Sequence, residues 1–163
     1  MGKTAVEFFT GANVFLDASK TLNVVGQAGL SQMKDANSGL EILGRMYIPG
    51  IVMQAFAAEL YLKALIVYEG KQIKKIHKLD ALFGMLDEVE KNIITASMMA
   101  EIRNAKGISE SEYGETELLD DFTKAANIFE DWRYFFESGT VSADLDFMKA
   151  LNDVLYVRCK SLI

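Results

Sequence analysis

The strongest constraint on this chain is the run from Pro49 to Gly70, PGIVMQAFAAELYLKALIVYEG, which is apolar on nearly every side of a helix. Such a helix has no polar face to offer solvent, so it belongs at the centre of a bundle. Gln54, Glu59 and Lys63 interrupt it, and each needs a partner there, because polar groups are costly to bury alone. Glu59 stands four residues before Lys63, on one face and in the favourable order for an ion pair. A lysine-rich turn, KQIKKIHK, follows and holds the only histidine, His77. A second amphipathic stretch, LDALFGML, comes next.

The rest of the chain reads as helices around this one. Phe8, Phe9, Ala12, Phe15, Leu16 and Leu22 predict a first helix over about 4–25. Residues 26–48 are irregular, with DANSG as a turn. Pro49 suits the first turn of the central helix and Gly70 stops it. A third helix is expected from Leu79 or Asp80 to about Lys91, and a fourth through ITASMMAEIRNA to Gly107. GISESEYGE reads as a mobile loop, 116–137 as a long helix ending in WRYFFE, and SGTVSAD as a turn. Ser142 or Asp144 then caps a last helix. No β alternation competes. The expected fold is all-α: a single domain over 1–163, an antiparallel four- to five-helix up-and-down bundle with additional short helices.

Charge and cysteine usage narrow the function. A net charge of −6 disfavours nucleic-acid binding by the whole-molecule field. The distribution is uneven, however: Lys71, Lys74, Lys75 and Lys78 cluster without an acid, while residues 101–131 are strongly acidic. One cysteine, Cys159, excludes an internal disulfide and fits a reducing compartment. The amino terminus lacks a secretory apolar core, and the uncharged stretch 48–58 is too short to span a bilayer. A cytoplasmic protein with no membrane partner is expected.

Several motifs fail. Gly2–Lys3–Thr4 has no glycine loop before it, so it is not a phosphate loop. DANSGLE places its glycine and its twelfth residue, Met46, wrongly for a calcium loop. One histidine and no Glu-x-x-His cannot build a di-iron or zinc centre, so neither metal nor cofactor is expected. Cys159 and the scattered methionines read as packing.

What survives suggests anion recognition. Lys63 sits on a rigid helix with Glu59 to orient it, and His77 stands just before the third helix, whose amide end favours a phosphate. Arg133 could offer a planar fork and Tyr134 a stacking face to the same ligand. Lys71, Lys74, Lys75 and Lys78 would attract the phosphate. The plainer alternative carries more weight for each residue taken alone: Glu59–Lys63 is a structural pair, His77 a cap, and the lysines a solvated face.

The pattern Ala57, Glu59, Lys63, Ala64, Leu65, then His77, Leu79, Leu82 and Leu86, followed by Arg133, Tyr134 and Glu137, resembles the HEPN superfamily. The resemblance covers roughly 49–160. It implies a helical bundle, usually a homodimer, with a role around nucleotides or RNA. Many members are metal-independent ribonucleases, often toxins paired with a small nucleotidyltransferase antitoxin. Those enzymes carry Arg, a polar residue and then His after four to six intervening positions. Here the counterpart is Arg103–Asn104, but no histidine follows anywhere in the chain. The resemblance therefore implies a non-catalytic member binding a nucleotide or RNA phosphate through Glu59, Lys63, His77, Arg133 and Tyr134. Two alternatives are kept. One is a divergent ribonuclease using Arg103; the other is a ligand-free interaction module in which the Pro49–Tyr68 helix serves dimerisation or an antitoxin groove.

Overall fold

The computed structural model of the protein describes residues 2–32, 42–73, 75–126 and 144–163. Lys74 and the Arg133–Tyr134 pair, with the rest of WRYFFE and residues 138–143 of SGTVSAD, lie outside the described residues. Among the described residues there are six α-helices and no strand.

Helix α1 spans Ala5–Leu30. Thr4 starts it with a capping box: its hydroxyl accepts from the Glu7 N–H at 3.2 Å, and Glu7 Oε2 accepts from the Thr4 N–H at 2.7 Å. The backbone N–H of Thr4, and then its hydroxyl, hold the Glu7 carboxyl below its ordinary pKa. The helix runs five residues past the expected end because it is clamped there. A Cβ on Gly26 would lie 2.9 Å from the Tyr47 ring, so only a glycine lets the two segments meet. Part of the segment expected to be irregular is thus α1, and a π-helical turn, Leu43–Tyr47, leads straight into α2, Ile48–Tyr68.

Helix α2 is the core helix, as its composition demands. Tyr61, Leu62, Leu65 and Ile66 are fully buried, and each aliphatic side chain there stabilises the fold by about 1.5–3 kcal/mol. Phe15 stacks on Phe56, Asn13 accepts from the Tyr61 hydroxyl at 2.6 Å, and Gly50 packs on Asn23, so α1 and α2 run antiparallel. The stretch Arg45–Tyr68 is long and apolar enough to cross a bilayer by length and composition; here α1 and α6 cover it.

The remaining long helices complete the bundle. Helix α3 covers Leu79–Gly84, α4 Glu88–Lys106, α5 Glu115–Ala125 and α6 Leu145–Leu162. Asp144 caps α6, accepting from the N–H groups of Asp146 and Phe147 at 2.9 and 3.0 Å. Glu90 meets Arg158 at one end of the α4–α6 pair and Lys106 meets Asp144 at the other, so these helices are antiparallel. Asn152 meets Gln54 and Cys159 meets Tyr61, so α2 and α6 point the same way. The four long helices therefore alternate in direction along the chain, the up-and-down arrangement expected.

One boundary differs from the sequence reading. The stretch expected as a single helix to Lys91 breaks after Gly84, and Glu88–Lys91 joins α4. The cause is tertiary. The Glu69 carboxylate accepts from the Asp87 N–H at 3.1 and 3.2 Å, while Lys71 Nζ donates to the Met85 carbonyl at 2.7 Å and to Asp87 Oδ1 at 2.6 Å. These bonds take up backbone groups that a continuous helix would have used. The segment expected to be a mobile loop is likewise fastened. Ser109 donates to Glu112 Oε2, the buried Tyr113 donates to Asp121 at 2.7 Å, and Phe83, Phe122 and Phe147 pack in series beneath.

Candidate functional site

Three of the residues singled out from the sequence meet at one atom. Glu59 Oε1 accepts from Lys63 Nζ at 2.6 Å and lies 3.1 Å from His77 Nδ1. Helical spacing brings Lys63 over Glu59 on one face of α2, and the 71–78 segment carries His77 back alongside. Glu59 and Lys63 are buried, whereas the His77 side chain is 59% exposed. A buried carboxylate thus grips one edge of an imidazole whose body stands in solvent.

The roles divide accordingly. Lys63 has its ammonium against Glu59 beneath the surface, so it neutralises and orients that carboxylate rather than reaching outward. His77 turns Nδ1 to Glu59, and its other ring nitrogen, Nε2, lies on the opposite edge of the ring. The helix that follows His77, α3, has only six residues. Its dipole is correspondingly small, so the amide end expected to attract a phosphate contributes less than a long helix would.

The lysines of the basic turn do not act as one patch. Lys71 is 2.8 Å from Glu69 and 2.6 Å from Asp87, two acids the sequence reading passed over. Hydrogen bonds donated to Asp87 and then Glu69 hold its pKa above the ordinary value, and its charge is met locally. Lys75 and Lys78 are exposed and form no ion pair among the described residues. Lys78 is also the N-terminal boundary of α3 and gives it no side-chain cap.

Arg103 and Asn104 lie elsewhere. The Lys106–Asp144 and Asn152–Gln54 contacts put Arg103 level with the start of α2, whereas Glu59 is in its second half. Arg103 Nε donates to the Tyr113 carbonyl at 2.8 Å, and its fork reaches Glu110 at 3.2 Å and the Met99 sulfur. Gly107, in the left-handed region at φ 65°, turns the chain back so that these bonds can form. Asn104 is exposed. The arginine staples a loop to α4. Among the described residues no group of three or more His, Cys, Asp or Glu side chains is placed to hold a metal ion.

The described residues form an all-helical bundle with a carboxylate-held histidine beside a lysine-bearing turn. The HEPN domain family model matches residues 27–141, and this chain belongs to the HEPN family. The match leaves out most of α1 and all of α6, and takes in the basic turn, α3, α4 and α5. No curated protein and no solved structure matches the chain significantly. At the level of the family, membership points to a nucleotide- or RNA-related role.

Proposed function

We propose that this HEPN-family protein binds a nucleotide or RNA phosphate without performing chemistry, with His77 as its contact group. The observation that carries the reading is the shared Glu59 oxygen, which holds His77 by its inner edge and presents the outer edge to solvent. The Glu59 oxygen fixes the ring at Nδ1, so the opposite ring edge is the part of His77 that a ligand would meet. Lys75 and Lys78 flank it and add a salt-dependent attraction. Arg133 and Tyr134 belong to the same proposal as further contacts.

The absence of catalysis rests on two observations. No histidine follows Arg103, and two of the five Arg103 donors are engaged with Tyr113 and Glu110. Metal-independent RNA cleavage abolished by Arg103→Ala would favour the ribonuclease alternative instead. A cytoplasmic homodimer working in a defence or toxin–antitoxin module, with a nucleotidyltransferase-type antitoxin, is the setting this reading anticipates.

The test is thermal unfolding with a panel of nucleotides and short RNAs at low and moderate salt. A ligand at a hundredfold excess over its Kd stabilises by about 2.7 kcal/mol, or roughly 5–10 °C for a chain of this size. The shift should shrink with salt and vanish in a folded His77→Ala variant. No shift with any ligand at millimolar concentration would overturn the proposal.

One observation favours the interaction module as a second reading. Ile93 and Val157 are exposed on a groove of about 380 Å³ between α4 and α6, with Ile94 and Val154 as its floor. Val157→Lys should then disperse an oligomer seen by light scattering. An unchanged mass would remove this groove as its interface.

A further inference from the structure

Three buried polar atoms have no hydrogen-bond partner among the described residues: Ser19 Oγ, Gln54 Oε1 and Asn152 Oδ1. They come from three different helices, α1, α2 and α6, and all three residues line one cavity of about 330 Å³. Ser19 and Asn152 are each 1% exposed. Buried oxygens are rarely left unpaired, and three of them around a single space point to something that occupies it.

The chemistry of the cavity is specific. Asn152 Nδ2 donates to the Gln54 carbonyl at 3.2 Å and to the Met148 carbonyl at 2.9 Å, so both amide donors are engaged and the orientation of the side chain is set. Its oxygen is left purely as an acceptor. Ser19 does not bond the carbonyl one turn back, as a helical serine commonly does, and its hydroxyl is free to accept or donate. Leu16, Ile51 and Leu145 supply apolar walls, and Leu145 is 51% exposed. Among the charged lining residues, Lys149 and Asp153 neutralise each other at 2.8 Å.

The geometry points to a binding site for a small, flat molecule that presents N–H donors, an amino-substituted heterocycle or a planar amide. Inward-facing acceptors repel an anion, and three oxygens fall short of the roughly six to eight that a hard cation such as Ca2+ takes. A volume near the lower end of the range for ligand pockets, about 300–1,000 Å³, suits one or two rings. The site is independent of the His77 reading, because it uses other residues and has no use for a phosphate.

The test uses adenosine, which carries an exocyclic amino group, and N6,N6-dimethyladenosine, which is flat and similar in shape but lacks those donors. Titration by calorimetry should show adenosine binding at least tenfold tighter than its dimethyl analogue. Ser19→Ala and Gln54→Leu should each weaken adenosine at least tenfold, while His77→Ala leaves it unchanged. Chemical-shift perturbation on the unaltered protein should centre on Ser19, Gln54 and Asn152, which keeps the test valid if a variant fails to fold. No adenosine binding at millimolar concentration, equal binding of the two nucleosides, or perturbations centred elsewhere would each overturn the proposal.

Discussion

Glu59→Ala should be among the most damaging single changes in the α2 helix. The Glu59 and Lys63 side chains are 5% and 9% exposed, and the ammonium lies 2.6 Å from the carboxylate. Deleting the acid strands a buried cation and frees His77 from its anchor. Breaking a buried pair from one side costs about 3–5 kcal/mol, a large share of the roughly 5–15 kcal/mol by which a domain is stable. At 2–4 °C per kcal/mol for a domain of this size, Tm should fall by roughly 6–20 °C. Urea unfolding followed by circular dichroism measures the cost directly. The companion double variant, Glu59→Leu with Lys63→Met, removes both charges and keeps the volume filled. It should lie within about 1 kcal/mol of the parent, because the desolvation of two ions is relieved as their attraction is lost. If Glu59→Ala cost less than about 1 kcal/mol, or the double variant were no more stable than the single one, Lys63 would have another route to solvent or another acceptor. The account of the buried pair would then be refuted.

Other variants probe the frame around the site. Arg158 makes a two-pronged contact with the buried Glu90 at 2.7 and 2.8 Å, tying α4 to α6. Arg158→Met should cost about 1–3 kcal/mol in chemical denaturation, and Arg158→Lys should recover only part of it because an ammonium lacks the planar fork. Gly107→Ala should lose about 1–2 kcal/mol, since φ 65° suits glycine and strains a Cβ. Gly107→Asn should lose less, a ranking read from the two unfolding midpoints. Burial pushes the Cys159 thiol up from 9.0 to about 12. Because the folded value lies above the unfolded one, this contribution is complete below about pH 9 and is lost as pH rises toward 12. Labelling of Cys159 by a thiol reagent at pH 8 should therefore follow global unfolding in urea, and rapid labelling of the native protein would contradict its burial.

Much of the fold is legible in the chain because its signals are local. Apolar residues at helical spacing, Pro49 and Asp144 mark helices that the structure contains. The absence of a polar face on 49–69 is enough to place α2 inside. Glu59, Lys63 and His77 were found for the same reason, since two of them are polar interruptions in an apolar helix and the third is a lone histidine after it.

What the sequence could not decide depends on partners distant along the chain. Lys71 reads as a free cation until Glu69 and Asp87 close on it, and those same bonds break a predicted helix in two. Arg103 reads as a lone cation at a helix end, and only the fold shows it donating to the Tyr113 carbonyl and to Glu110. Gln54 stands out in the sequence, but Ser19 and Asn152 do not, because serine and asparagine are unremarkable on helices that also face solvent. Their convergence on one cavity exists only once α1, α2 and α6 have packed. Periodicity determines which face of each helix is buried; only the tertiary structure decides which polar groups that burial brings together and which it leaves without a partner.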